Sequence, residues 1–308
     1  MKQDLLSICI PVYNGEGVIR KSLSTILALP LGRRIPIIVS DNCSTDSTVS
    51  IVRSFQKTYN NISLLESAAN NGLDKNVIKV LLSSKTKYSW LLGDDDYFTE
   101  SALAQVFSAC AFDYDMILLN SSSRIIGIPS GELSSGHDVI KKLGAHLTFM
   151  STLIFRTSRI QFVDFYPFIG SLYLQTLLAY SIVANDASRV YWVADDSIHS
   201  FPSSGARWDI FPVFCEKLNG ASELLPSYYT KLEREKFVRS HGRYILTYGL
   251  KSIFAYRYSG KLTAKWFFGH FSLYVKCFGY HRYFQTLFSF FVPVFLIRKM
   301  YKTLKKSE

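Results

Sequence analysis

The run Trp90-Leu91-Leu92-Gly93-Asp94-Asp95-Asp96-Tyr97-Phe98 joins a strand-like apolar stretch directly to three adjacent acids. Three like charges repel unless a cation sits among them. At the carboxyl end of a strand, a divalent ion held by oxygen ligands answers that repulsion. A solvated turn with an Asp helix cap answers it as well. The neighbouring strands decide between the two.

Outward from that run, residues 5–120 alternate strand and helix patterns. Apolar runs predict strands over 5–12, 36–40, 62–65, 88–92 and 116–119, and helical spacing predicts helices over 18–29, 46–55, 76–82 and 101–109. Ser44 or Thr45 is placed to cap the second helix. Strands separated by helices argue for an α/β layer fold with a mostly parallel sheet flanked by helices. Ligands of such sheets bind beyond the carboxyl ends of the strands. Three of these strands end in polar residues, at Tyr13-Asn14, at Asp41-Asn42 and at the triple Asp. That coincidence favours a site over a capped turn. Residues 121–150 read as loop with a short helix, 151–155 and 189–194 as strands, and 169–183 as a helix. From about residue 210 onward the pattern is mainly helical.

Composition bounds the partners. The 308 residues carry a net charge of +11, but unevenly. Residues 231–308 hold 16 Lys and Arg against 3 acids, whereas the rest holds 19 against 21. A near-neutral body does not grip nucleic acid. The five cysteines are scattered, with no CxxC pair. Neither a disulfide framework nor a zinc site is expected, and a reducing compartment fits. Met1-Lys2-Gln3-Asp4 leads straight into an apolar strand, so a cleaved leader is not expected. Residues 253–295 interleave 16 aromatics with Lys and Arg. The apolar run 284–297 would span only about 21 Å as a helix, short of a ~30 Å hydrocarbon core. Basic residues follow it, which suits a segment lying in a membrane interface; a helical subdomain packing its aromatics inward is the alternative.

Ile8-Cys9-Ile10-Pro11-Val12-Tyr13-Asn14-Gly15-Glu16 resembles the opening strand of family 2 glycosyltransferases. Val39-Ser40-Asp41-Asn42-Cys43-Ser44-Thr45-Asp46-Ser47-Thr48 is similar to their second-strand motif, Asn70-Asn71-Gly72 to the next element, and Leu92 to Tyr97 to the DXD region. The Leu-Leu-Gly-Asp-Asp-Asp form further resembles bacterial O-antigen transferases of the abequosyltransferase type. The resemblance implies a GT-A fold over 1–209, with a nucleotide-sugar half at 1–120 and an acceptor half at 121–209. The aromatic, basic region 210–308 would then associate with a membrane. It implies Mn²⁺ or Mg²⁺ as cofactor and transfer of a sugar from a nucleotide-sugar to a hydroxyl.

By the same resemblance, Pro11 and Tyr13 would line the base and ribose. Asp41 and Asn42 would hydrogen-bond the base, Asn71 would belong to the nucleotide-sugar site, and Lys75 would meet a phosphate or the sugar. Glu16 reads as a first-turn helix acid. Gly93 stands where the family has its first acid. That leaves Asp94 as a sugar or ribose contact, Asp95 as the first metal ligand, and Asp96 as a second ligand or a helix cap. His199 is a third candidate ligand or a plain loop histidine, and Arg207 and Trp208 follow it as phosphate and acceptor contacts. Inverting relatives place an acidic base where this chain has Phe168-Ile169-Gly170-Ser171-Leu172-Tyr173-Leu174-Gln175, which contains no acid. Asp164 is the nearest upstream candidate base and Asp186 the nearest downstream, neither at the expected place; the alternative is transfer with retention and no protein base.

The expected activity is therefore assembly of a surface polysaccharide such as O-antigen or lipopolysaccharide, with a dideoxyhexose as one donor sugar. The acceptor would be a polyprenyl-diphosphate-linked oligosaccharide at the cytoplasmic face of the inner membrane. A nucleotidyltransferase is disfavoured because no basic residue follows the first strand before Arg20. A catalytically inactive scaffold stays open because of the missing acid. The absence of GxGxxG argues against a dinucleotide oxidoreductase.

Overall fold

A computed structural model describes residues 5–201, 211–246 and 249–297. The described residues form two compact units, 5–201 with Leu224–Tyr229, and 211–223 with 230–297. The boundary expected at 209/210 lies outside the described residues, as do Arg207 and Trp208.

In the first unit, β1 (Leu6–Val12), β2 (Ile37–Asp41), β3 (Ile62–Glu66) and β4 (Tyr88–Leu91) pair in parallel in the order β3-β2-β1-β4. Every residue of β1, β2 and β4 is buried, as expected of strands covered on both faces. The covering helices are α1 (Ile19–Ala28), α2 (Thr48–Gln56), α3 (Leu73–Ser83) and α4 (Glu100–Ala109). Each turns an apolar stripe inward, as α1 does with Ile19, Leu23, Ile26 and Leu27.

Beyond β4 the parallel pattern ends. Three further strands are β5 (Asp96–Phe98), β6 (Met116–Ser121) and β7 (Gly131–Leu133), followed by α5 (Gly136–Lys142). After them come β8 (Leu153–Arg156), the short α6 (Thr157–Ile160), α7 (Leu174–Ile182) and β9 (Val190–Ser200). The sheet continues β4-β8-β6-β9-β5, with β7 also on β9. β8 is antiparallel to β4 and β6, and β9 is parallel to β6 and antiparallel to β5 and β7. The expectation of a mostly parallel sheet thus holds for the first four strands, and the whole is mixed. The antiparallel β8 brings the start of its chain segment, Ser151, beside the end of β4. There Trp90 Nε1 donates to the Ser151 carbonyl (2.9 Å) and the Trp90 ring stacks on Phe98 at 4.4 Å.

Several expected boundaries move for local reasons. The helix expected from residue 169 begins at Leu174, because Gly170 (φ 89°) and Leu172 (φ 61°) hold left-handed backbone that no helix continues through. The strand expected to close at Asp195-Asp196 runs on to Ser200, crossing register shifts between Leu119 and Ser121 on its partner. Helix α2 starts at Thr48 with Ser47 before it, so neither Ser44 nor Thr45 caps it. Instead the Ser44 hydroxyl accepts from Asn14 N–H, and Thr45 N–H donates to Asn14 Oδ1.

The second unit is helical. After a π-helical turn at Pro212–Lys217 it comprises α8 (Leu218–Glu223), α9 (Lys231–Ile245), α10 (Leu250–Tyr258), α11 (Ala264–Gly269) and α12 (Phe271–Ser289). Thr230 and Glu233 close a capping box on α9, and Gly279 (φ 81°) kinks α12. No helix among the described residues is long and apolar enough to cross a membrane.

Candidate active site

Parallel pairing of β2, β1 and β4 brings Asp41, Tyr13 and the triple Asp to one edge of the sheet. The loops after β1 and β2 are laced together there by side chains bonding backbone. Asn14 Oδ1 accepts from Thr45 N–H (2.9 Å), Asp46 Oδ2 from Glu16 N–H (3.0 Å), Glu16 Oε2 from Ser47 N–H (2.9 Å), and Thr48 Oγ1 from Gly15 N–H (2.8 Å). Such bonds let short polar side chains satisfy a loop backbone that has no ladder. They fix Gly15 against the triplet: a Cβ on Gly15 would stand 2.7 Å from Asp94 Oδ2 and 2.6 Å from Val12 Cγ2.

Asp41 is buried at the end of β2. Its Oδ2 accepts from Ser44 N–H (2.9 Å), whereas its buried Oδ1 has no partner among the described residues. A buried carboxylate oxygen without a donor is costly, and an N–H of a bound base supplies one. Asn42 does a different job from the expected base contact. Its Nδ2 donates to Asn70 Oδ1 (2.8 Å) and its Oδ1 accepts from Asn71 N–H (3.0 Å), so it positions the Asn70-Asn71-Gly72 turn. Asn71 itself is exposed on that turn, and Lys75 is exposed one helical step into α3. Tyr13 is exposed at the mouth, whereas Pro11 is buried within β1.

The three acids separate in role. Asp94 is buried against Gly15, and Asp95 is half-buried. Asp96 turns inward, where Ser151 donates to its Oδ2 and Ser200 to its Oδ1 (2.5 Å). Burial pushes its pKa up to about 6 against the pull of those two serines, with the neighbouring charges of Asp95 and Asp94 adding to the rise. This inward turn accounts for Gly93. A Cβ there would lie 2.7 Å from Asp96 Oδ2 and 3.3 Å from Ser151 Oγ, so the family's first acid has no room. Ser151 Oγ also accepts from Gly93 N–H (2.8 Å), which ties the triplet to the head of β8.

His199 departs from the expected ligand set. It pairs with Tyr97 across β5 and β9, one residue from the Asp96–Ser200 pair, so alternation puts its ring on the opposite face from Asp96. There it lies 5.4 Å from the Tyr97 ring, which stacks on Phe201 at 4.6 Å. Asp95, Asp96 and His199 do not converge, and no group of three or more His, Cys, Asp or Glu side chains suited to a metal exists among the described residues. A hydrated divalent ion bound by one or two carboxylates and a substrate diphosphate needs no such group. Asp95, with Asp94 beside it, fits that mode; Asp96 and His199 do not.

The stretch expected to carry the acceptor base has no carboxylate. No acid stands in the first turn of α7. Asp164 lies exposed on the preceding loop, where its Oδ1 accepts from Tyr166 N–H two residues on (3.0 Å). A carboxylate that does reach the 168–173 loop comes from α3: Asp74 Oδ2 accepts from Gly170 N–H (2.7 Å) and Leu172 N–H (3.2 Å). Gln175 Nε2 donates to the Thr148 carbonyl, fixing α7 to the segment that leads to Ser151. Asp74, Ser151 and Ser200 escaped the sequence reading because their partners lie 55 to 104 positions away.

Residues 7–168, just over half of the chain, match the family Glycosyl transferase family 2. The minor teichoic acid biosynthesis protein GgaA of Bacillus subtilis is 30% identical over 200 residues, covering 61% of this chain and 41% of that protein. The abequosyltransferase RfbV of Salmonella typhimurium is 31% identical over 102 residues, 32% of this chain and 31% of its own length. The chain thus spans less than half the length of these curated relatives. Among solved structures, Staphylococcus aureus TarS 1-349 in complex with UDP-GlcNAc superposes with a TM-score of 0.63 at 17% identity, covering 88% of this chain and 81% of that one. The mannosyltransferase PcManGT of Pyrobaculum calidifontis, in complex with GDP-Man and Mn²⁺, gives 0.57 at 16% identity, over 88% and 80%. These likenesses give the fold as GT-A-like, and the match over residues 7–168 shows that the chain belongs to glycosyl transferase family 2.

Proposed function

We propose that this enzyme transfers a sugar from a nucleoside-diphosphate sugar to a hydroxyl of a growing surface polysaccharide carried on a lipid diphosphate. The observation that carries the reading is Asp41 Oδ1, a buried acceptor without a partner among the described residues. It stands one strand away from the loop on which Asp94 rests. A nucleoside satisfies both ends of that arrangement, its base N–H donating to Asp41 and its ribose hydroxyls donating to Asp94. Tyr13 closes over the base from the exposed rim. The relatives support the substrate class, since their names concern teichoic acid and abequose transfer and the solved neighbours hold UDP-GlcNAc or GDP-Man.

In this reading Asp95 holds a divalent ion, Mn²⁺ or Mg²⁺, whose charge offsets the negative charge that develops on the leaving diphosphate. Asp96, Ser151 and Ser200 hold the triplet in place, and Lys75 faces the diphosphate from α3. The acceptor hydroxyl enters beside α7, whose first turn supplies no carboxylate. The enzyme works at the membrane surface that carries its acceptor, on the cytoplasmic face where nucleotide-sugars are made. Release of nucleoside diphosphate from a panel of UDP-, GDP-, CDP- and dTDP-sugars, with Mn²⁺ and with chelator, tests the reading. Turnover of one donor that falls at least tenfold on Asp41→Ala supports it. No turnover of any donor, with or without metal, sinks it and favours a non-catalytic scaffold.

A further inference from the structure

Gly279 (φ 81°) divides α12 into two segments that pack on each other, Tyr274 of the first bonding Thr286 of the second through their hydroxyls (2.5 Å), and the second segment buries Thr286 and Ser289 on one side. On the other it carries Tyr280, Phe284 and Phe288, spaced i, i+4, i+8 and so aligned in one stripe. Their exposures are 63%, 61% and 63%, and Phe291 (77%) and Phe295 (68%), past the helix end, are exposed as well. The rings are continuous with neighbours, through Phe271–Tyr283 at 4.8 Å, Tyr283–Phe284 at 5.7 Å and, from α11, Phe268–Phe290 at 5.8 Å. Soluble monomers rarely leave such a surface in water. Its charge says what covers it. Residues 249–297 contain no acid; of their cations Arg257 is bonded to the Ser289 and Val292 carbonyls and Lys276 pairs with Glu223, which leaves Lys251, Lys261, Lys265 and Arg282 with no acidic partner in this stretch. A second copy would set positive charge against positive charge, whereas an anionic lipid surface complements it. Rings at the headgroup level bury an apolar body while cations meet phosphates.

We propose that the outer face of α12, led by Tyr280, Phe284, Phe288, Phe291 and Phe295, docks on an anionic lipid bilayer without crossing it. This adds to the transferase reading a defined lipid-binding face. It is tested without sugar transfer, so either reading stands or falls alone. The full chain is sedimented with phosphatidylglycerol–phosphatidylcholine vesicles and with phosphatidylcholine vesicles alone, beside the double variant Phe284→Ser/Phe288→Ser. Thermal melting monitored by circular dichroism checks that both proteins fold. Wild type should bind the anionic vesicles preferentially and lose binding at roughly 0.5 M salt. The folded double variant should bind at least about tenfold more weakly, with donor turnover in vesicle-free buffer unchanged. Equal sedimentation of both proteins, or no preference for anionic vesicles, overturns the proposal. So does a wild-type dimer in light scattering that the double variant converts to monomer, which would make the face a self-association surface.

Discussion

The carboxyl edge of β1, β2 and β4 and the 161–173 segment of the first unit are built by opposite means. At the carboxyl edge of β1, β2 and β4, side chains close to one another in sequence lace the loops after β1 and β2 together, with Asp41 buried at the end of β2 and Asp94 buried against Gly15. The 161–173 segment has left-handed backbone at Gly170 and Leu172 and is held by a carboxylate from a different helix, Asp74. The first edge therefore gathers acids, while the 161–173 segment draws on Asp74 of α3 for backbone support. On the proposed reading, the acids serve the leaving group, and no carboxylate on α7 serves the acceptor.

The comparison breaks first at Asp95. Asp95→Ala should lower turnover by about 10²–10³-fold, the scale on which a charge-stabilising group is lost, with the melting temperature little changed because the residue is half-buried and its neighbours stay bonded. Metal titration should show the loss as weaker activation by Mn²⁺. Retained turnover would remove the acids from the chemistry.

Gly93→Ala comes next. Its Cβ would press on Asp96 Oδ2, which two serines keep from moving aside. Overpacking of this kind costs about 1–3 kcal/mol, to be read by urea denaturation, and should weaken nucleotide binding as the triplet shifts. A Gly93→Ala protein as stable as wild type would mean that the triplet is looser than its bonds imply.

His146 sharpens the comparison from the core beneath the two regions. Its Nε2 donates to the Leu119 carbonyl (2.8 Å), and burial, with the Arg124 charge adding, brings its pKa down to about 4. The unfolded chain takes up the proton near pH 6.5 and the folded chain does not, so stability falls as pH drops from about 6.5 towards 4. The loss should reach about 2 kcal/mol at pH 5. His146→Gln should flatten that slope in a melting-temperature series across pH, whatever its effect at pH 7.

The smallest effect is expected at Asp164. Asp164→Asn keeps an acceptor for Tyr166 N–H, and turnover should stay within about twofold of wild type. A loss of a hundredfold or more would restore Asp164 as the general base and end the contrast between the two sides. NMR of the product's anomeric configuration then tells whether transfer inverts or retains.

How far the sequence was legible follows the same divide. The strands β1 to β4 and their polar ends could be read because parallel buried strands are continuous apolar runs, and each carries its loop chemistry beside it in sequence. Beyond Asp96 the reading weakened. β5 is three residues long and pairs with a strand a hundred positions away, and β9 hides its inward residues among Asp195, Asp196 and Ser197. The roles of Ser151, Ser200 and Asp74 depend on contacts that no local pattern announces. Gly93 was visible as a departure from the family pattern, but its cause, the inward turn of Asp96, was not.

The central claim is that a nucleoside diphosphate binds at the carboxyl edge of β1, β2 and β4, through Asp41 and the Asp94–Asp95 pair. Thermal-shift titration of wild type and Asp41→Ala with UDP, GDP, CDP and dTDP, each with and without Mn²⁺, tests it most directly. One nucleotide with Mn²⁺ should raise the wild-type melting temperature in a concentration-dependent way, and the shift should vanish in Asp41→Ala. No shift with any nucleotide, or an equal shift in the variant, would contradict the claim.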